Sequence, residues 1–360
     1  MNGAGCFVRN PIAGAVLEGE VVQEARLYEK RRNNQVKCHL CAHGCLIDDG
    51  GRGVCHVREN RGGTLYSLVY GQVLAENRDP IEKKPLYHVA PGTLSYSIAT
   101  AGCNFRCAWC QNSDISAMPR ERHIIRGSET PPELIVARAF ESRCRSIAYT
   151  YTEPTIFFEY AYDVAALAKK KGLLNVLVTN GFMSAEMLET LHPLADAANV
   201  DLKSFNDDTY REQVGGRLQP VLDSMKRMKD YGIWVEVTTL VIPQLNDSDE
   251  ELREIAQFIA RDLGCETPWH ISRFFPAYKM TRCEPTPPAT LERARCIGEA
   301  EGLRYVYLGN LGREGQDTRC HTCGAVVIER RGLGYTVTHA GDGACPACHT
   351  PVAGIYMGSA

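Results

Sequence analysis

Sixteen cysteines lie in this 360-residue chain, and eleven fall into three compact groups: Cys38, Cys41, Cys45 and Cys55; Cys103, Cys107 and Cys110; and Cys320, Cys323, Cys345 and Cys348. In a reducing compartment clustered thiols are metal ligands far more often than disulfides. The middle group stands out because it offers only three ligands, in Cys103-Asn104-Phe105-Arg106-Cys107-Ala108-Trp109-Cys110. A 4Fe-4S cube held by three thiolates keeps one iron without a protein ligand, and an open iron can take a substrate or cofactor. A three-cysteine zinc site completed by a distant histidine is the competing reading.

The tail carries Cys320-His321-Thr322-Cys323 and, after 21 intervening residues, Cys345-Pro346-Ala347-Cys348. Four thiolates close a tetrahedral site, for zinc or a rubredoxin-like single iron, so a structural role is expected, with electron relay as the minor alternative if the metal is iron. Cys38, Cys41, Cys45 and Cys55 also supply four thiolates, and zinc and an auxiliary 4Fe-4S cluster fit them equally. Gly50-Gly51-Arg52-Gly53 suggests a tight loop returning to that metal, and His43 could replace one thiolate. The remaining Cys6, Cys144, Cys265, Cys283 and Cys296 stand singly and are expected as small buried hydrophobes.

These ligands need a scaffold, and the pattern between them is regular. Candidate strands are 94–100, 146–152, 175–180, 199–204, 233–242, 269–274 and 304–308. Candidate helices between them run from Pro131-Pro132-Glu133 toward Cys144, then 155–171, 184–192, 220–231, 247–262 and 290–301, with Ser184 and Asp247 as N-caps and Gly172, Gly232 and Gly302 as C-terminal stops. Strand, helix, strand repeated six times implies an α/β fold of parallel strands with right-handed crossovers. A barrel, complete or partial, and a doubly wound sheet both satisfy that rule, though chemistry-bearing residues at the carboxyl ends of the strands favour a barrel. Neither GxGxxG nor a Walker pattern follows the first strand. Three units are expected: a Cys-rich segment over 1–93, the barrel core over 94–311, and the metal knuckle over 312–360.

The net charge of -3, from 40 Lys plus Arg against 43 Asp plus Glu, offers nucleic acid or an anionic membrane no electrostatic purchase. No apolar run is long enough to span a bilayer, and the stretch from Pro11 to Leu17 stops at Glu18, too short for a signal sequence. A cytoplasmic protein is expected.

CxxxCxxC with an aromatic before its last cysteine, just after a first strand, resembles the radical S-adenosylmethionine (SAM) superfamily. Tyr151-Thr152-Glu153-Pro154-Thr155-Ile156, Val178-Thr179-Asn180-Gly181, Asp201-Leu202-Lys203 and Trp269-His270-Ile271-Ser272-Arg273-Phe274 resemble the branch around the pyruvate formate-lyase activating enzyme. The flanking cysteine groups, with Tyr305-Val306-Tyr307-Leu308-Gly309-Asn310, resemble the radical SAM enzyme of the AmmeMemoRadiSam system. The resemblance runs from about Cys38 to the end and implies a partial (β/α)6 barrel with Cys-rich metal-binding extensions at both ends. It implies a 4Fe-4S cluster on Cys103, Cys107 and Cys110 that reductively cleaves SAM to a 5'-deoxyadenosyl radical, for hydrogen abstraction from a protein or small-molecule substrate.

By the same resemblance Glu153 meets the SAM amino group through its side chain or backbone, Asn180 and Gly181 lie against the cofactor, Asp201 and Lys203 meet its carboxylate and ribose, and His270 contacts ribose or adenine. Asp201 and Lys203, two apart on a strand, should face one side of the sheet, as cofactor ligands or as a structural ion pair. Glu153-Pro154 is also a plausible turn, and a lone strand histidine is often a satisfied core residue. The implied partners are a ferredoxin- or flavodoxin-type electron donor and Memo-like and AMMECR1-like proteins. A non-catalytic zinc-ribbon interaction module is the alternative function; near-neutral charge and a three-cysteine group inside a βα array argue against it.

Overall fold

The structure, a computed structural model, describes residues 22–312, 315–331 and 336–358, so Cys6 and the run from Pro11 to Leu17 lie outside the described residues. Its centre is a sheet of eight strands: β1 (Ala75–Pro80), β2 (Leu94–Ala99), β3 (Ser146–Tyr149), β4 (Leu174–Thr179), β5 (Ala197–Asp201), β6 (Trp234–Val241), β7 (Trp269–Arg273) and β8 (Val306–Gly309). β2 to β8 are parallel and adjacent in chain order, while β1 pairs antiparallel with β2, so the sheet extends upstream of residue 94. β2 to β8 are buried almost throughout, as expected of parallel strands covered on both faces, whereas the edge strand β1 is largely not.

Six helices make the crossovers: α1 (Pro132–Glu141), α2 (Phe158–Lys170), α3 (Ala185–Leu191), α4 (Leu218–Asp230), α5 (Asp249–Phe258) and α6 (Pro288–Ala300). A doubly wound sheet reverses its strand order at a switch point, and this one never does. Sequential order with crossovers of one hand stacks every helix on one face and curls the other face inward, giving an open partial barrel. Ser184 caps α3 by accepting from Met187 N–H at 3.0 Å, as expected, but α5 is capped by Ser248. Asp247 instead accepts from Gln244 N–H at 2.8 Å, holding the preceding turn.

Small antiparallel sheets flank the barrel. Residues 23–67 form two three-stranded sheets around the first cysteine group, and Thr318–Arg319, Val326–Arg330 and Thr336–Thr338 form a ribbon around the last. No helix among the described residues is long and apolar enough to cross a membrane. Of the single cysteines, Cys144 is buried as expected, but Cys265 and Cys283 are half-buried and Cys296 is exposed on α6.

Candidate functional site

The loop leaving β2 carries Cys103, Cys107 and Cys110, and it is held from several sides. Arg106 N–H donates to Val214 O at 2.8 Å, Ala108 N–H to Gln213 O at 3.2 Å, and Lys279 N–H to Ala108 O at 2.9 Å. Asn112 reaches across to Tyr151 O at 2.8 Å, tying the loop to the end of β3. Phe105 and Trp109 are buried, anchoring the segments between the thiols in the core. The cysteines stay half-buried and free. Phe105 N–H donates to Cys103 Sγ at 3.4 Å and Asn180 Nδ2 at 3.9 Å, and Cys110 Sγ lies 3.2 Å from Ser116 Oγ.

The strand ends bring most of the expected residues to this loop. Lys203 Nζ donates to Asp201 Oδ2 at 2.7 Å, a pair with side chains 17% and 35% exposed. Burial pushes the Cys107 thiol up to about 11, against the lowering field of Lys203, so the ion pair borders the cysteine loop. Burial opposes the Lys203 charge, but Asp201 and Cys107 outweigh it and raise its pKa. Asn180 donates to Asn104 Oδ1 at 2.8 Å and accepts from Phe182 N–H at 3.0 Å, linking β4 to the cysteine loop.

Glu153 is buried, and its carboxylate accepts from Thr155 N–H at 3.0 Å, Thr155 Oγ1 at 2.6 Å, Thr179 Oγ1 at 2.7 Å and Asn180 N–H at 2.8 Å. Burial raises its pKa although these donors favour the anion. The Glu153 side chain is thus a brace between the ends of β3 and β4. Gly181, at φ +70°, is required by packing: a Cβ there would meet Val200 Cγ1 at 2.9 Å and Val221 Cγ1 at 3.2 Å. Close approach of side chains from β5 and α4 thus stands beside the close backbone approach to a cofactor that was anticipated for this glycine.

His270 is not brought to this group. It is buried near the amino end of β7, with Nε2 2.6 Å from Glu236 Oε2 and its ring stacked 5.2 Å from Tyr307. Glu236 also accepts from Tyr87 and His88 N–H at 3.0 and 2.7 Å. The imidazole therefore belongs to a satisfied core network.

Spacing signals missed the platform under the cysteine loop. A Cβ on Gly216 would lie 2.4 Å from Phe105 Cε1, and one on Gly215 2.5 Å from Arg106 Cγ. Only paired glycines let the 210–216 segment approach the loop so closely, and the Gly215-Gly216 dipeptide was the available clue. His43 was read as a possible thiolate substitute. Its Nε2–H instead donates to Asn104 O at 2.8 Å and its ring packs edge-on to Phe182 at 4.8 Å, so it braces the middle loop.

The three cysteine groups differ in geometry. Sulfurs of Cys320, Cys323, Cys345 and Cys348 all lie within 4.8 Å of one another, with Cys320 and Cys348 at 3.5 Å and Cys323 and Cys345 at 3.6 Å. One tetrahedral ion with bonds near 2.3 Å spaces its sulfurs about 3.8 Å apart, so this quartet fits a single ion. Among the described residues no other three potential ligands converge that tightly. The middle trio offers three free thiols on one loop.

The tail quartet packs at the barrel end opposite the cysteine loop. Its apolar cluster includes Tyr87 and Tyr305 with Tyr307, and Ala90 and Ile355 are joined backbone to backbone at 2.9 Å. Tyr87 and Ala90 precede β2 and Tyr305 precedes β8, whereas Cys103 follows β2. Arg330 is buried between tail and barrel, donating to Tyr87 O at 2.7 Å with its guanidinium 4.2 Å over the Tyr87 ring.

A family model described as the Radical SAM superfamily matches residues 97–259. An uncharacterised protein of Methanocaldococcus jannaschii is 47% identical over 310 residues, spanning 86% of this chain and 92% of that protein. The pyruvate formate-lyase 1-activating enzyme of Escherichia coli (strain K12) is 24% identical over 220 residues, spanning 57% of this chain and 89% of that enzyme. Among solved structures, Streptococcus suis SuiB bound to S-adenosylmethionine aligns with a TM-score of 0.48 at 15% identity, over 59% of this chain and 49% of that one.

Proposed function

This chain belongs to the radical SAM superfamily, in the branch similar to pyruvate formate-lyase activating enzymes, and from that premise we propose that it cleaves SAM reductively at a 4Fe-4S cluster held by Cys103, Cys107 and Cys110. The observation that carries the reading is a three-thiol loop at the carboxyl end of β2, bordered by the Asp201–Lys203 pair and braced through Asn180. Three free thiols on one loop fit that cluster. When bound, cluster and SAM together supply a 5'-deoxyadenosyl radical for hydrogen abstraction.

The chain's own part is positioning. Phe105 and Asn180 donate toward Cys103, which stabilises its thiolate form as ligation requires. Lys203 offers a cation to a carboxylate and Asp201 an acceptor to hydroxyl or amino groups. Gly181 and Glu153 act on the cofactor side of the barrel by holding the β3 and β4 ends in register. The barrel keeps competing solvent from a radical formed inside it.

We further propose that the substrate is a protein or a small molecule, that a ferredoxin- or flavodoxin-type protein donates the electron, and that the enzyme works in the cytoplasm with Memo-like and AMMECR1-like partners. The likeness to the Escherichia coli pyruvate formate-lyase 1-activating enzyme supports glycyl-radical activation as one version of this chemistry. The test is anaerobic reconstitution followed by measurement of 5'-deoxyadenosine from SAM and dithionite. Wild type should form it and Cys107→Ala should not, while keeping its tail metal. Failure of fully iron-loaded wild type to cleave SAM would overturn the reading.

A further inference from the structure

Cys38, Cys41, Cys45 and Cys55 are brought together on adjoining turns, with Cys38 N–H donating to Cys45 O at 2.8 Å and Gly44 N–H to Cys41 O at 3.1 Å. Cys38 lies in the core, with Cys45 and Cys55 packed against it. Gly53 closes the returning loop, and a Cβ there would sit 3.6 Å from Cys45 Sγ. Yet no three of these sulfurs come within the 4.8 Å that the tail quartet satisfies. Four free thiols on adjoining turns that converge less tightly than the tail quartet suit a larger inorganic body than one tetrahedral ion.

A second observation points the same way. The Arg58 side chain is 1% exposed, and its Nη1 lies 3.9 Å from Cys38 Sγ. Nη2 donates to Arg26 O at 3.0 Å and pairs with the buried Glu159 carboxylate. Its Nε finds no partner. A buried guanidinium turned on a cysteine sulfur is a donor to a thiolate, and donors to cluster sulfurs favour the reduced, more negative state.

Position supplies the third. A Cβ on Gly102, the residue before Cys103, would lie 3.4 Å from Cys55 O and 2.8 Å from Val57 Cγ1. Cys41 bridges Met183, Ala42 N–H donates to Phe182 O at 3.4 Å, and His43 donates to Asn104 O. The first quartet therefore abuts the middle loop, whereas the tail quartet sits at the other end of the barrel.

We propose that Cys38, Cys41, Cys45 and Cys55 hold an auxiliary 4Fe-4S cluster, with Arg58 as a positioning donor to its sulfur, and that this cluster is the electron entry to the middle site. Held by these four cysteines, the cluster would take one electron from a flavodoxin- or ferredoxin-type protein and would pass it on, ending in its starting oxidised state. No bond forms or breaks and no proton moves in that transfer. The metal assignment is independent of the reading given above for the middle motif; the relay rests on it.

The experiment uses the full chain. Protein with Cys103, Cys107 and Cys110 all changed to Ala should, after anaerobic reconstitution, retain about four iron and about four sulfide beyond the tail metal, with a reduced-state paramagnetic signal indifferent to SAM. One additional zinc and no sulfide would overturn the metal assignment. Cys41→Ser with Cys55→Ser should lose that iron yet keep the SAM-responsive signal of the middle site. Should that variant fold poorly, Arg58→Met with Glu159→Gln, which removes both charges together, should shift the auxiliary potential downward at unchanged iron content. An unchanged potential would refute the role of Arg58. In the Cys41→Ser, Cys55→Ser protein, SAM cleavage driven by flavodoxin should be lost while dithionite-driven cleavage persists. Persistence of both would refute the relay, and absence of dithionite-driven cleavage in wild type would instead count against the middle-motif reading.

Discussion

Gly216→Ala tests the platform that holds the cysteine loop. The added methyl carbon would stand 2.4 Å from Phe105 Cε1 and 2.9 Å from Cζ, against an ordinary carbon contact of about 3.5–4 Å, so the ring must retreat by roughly 1 Å. It has little room. Phe105 is buried, with Phe182 at 5.1 Å and Tyr210 at 6.1 Å between ring centroids. Overpacking of this kind costs about 1–3 kcal/mol. The strain falls on the backbone between Cys103 and Cys107, including the Phe105 N–H that reaches Cys103 Sγ at 3.4 Å. The expected outcome is a modest loss of global stability by denaturant titration, with a larger loss of iron retained by the middle site under chelator challenge. Gly215→Ala is the contrast: its φ of +84° adds backbone strain of about 1–2 kcal/mol, but its steric neighbour is the flexible Arg106 side chain. Gly216→Ala protein that keeps wild-type stability and iron retention would refute the argument.

Three further outcomes follow from the same geometry. Asp201→Asn should weaken SAM binding by about 1.5–3 kcal/mol in calorimetry, with Lys203→Met as its companion; loss of SAM-free stability at normal SAM affinity would mark the pair as structural. Cys345→Ser should release one metal ion and make the tail protease-sensitive while SAM cleavage without substrate persists, because the quartet lies at the far end of the barrel; complete loss of cleavage would place the tail in the catalytic machinery. Burial holds His88 down at about 4, so between an ordinary value near 6.5 and that pH the unfolded chain takes up a proton the folded chain refuses, and stability should fall by about 3 kcal/mol on acidification through this window. His88→Gln should flatten that part of the stability profile measured by urea titration, and an equal slope in both proteins would contradict it.

Local pattern alone carried the barrel's parts. Every parallel strand and crossover helix was legible because buried strands are rich in β-branched and apolar residues and helices need caps and stops, and both are written within about ten residues of chain. The division of the cysteines into three groups was legible for the same reason. Strand order, by contrast, became certain only when pairing was seen, since six alternations permit two architectures. The companions of each site were out of reach. Arg58 meets Glu159 across 101 positions, His43 meets Asn104 across 61, and Gly216 meets Phe105 from the far side of two strands. His270 shows the same limit: its motif sits on β7 as expected, yet Glu236, Tyr87 and Tyr307 absorb it into the core. Which quartet lies beside the middle loop is likewise a property of packing. A cysteine's type and spacing set which metals it can bind, but its distance from another cluster is set by the buried surfaces that bring remote segments together, and no local periodicity encodes that distance.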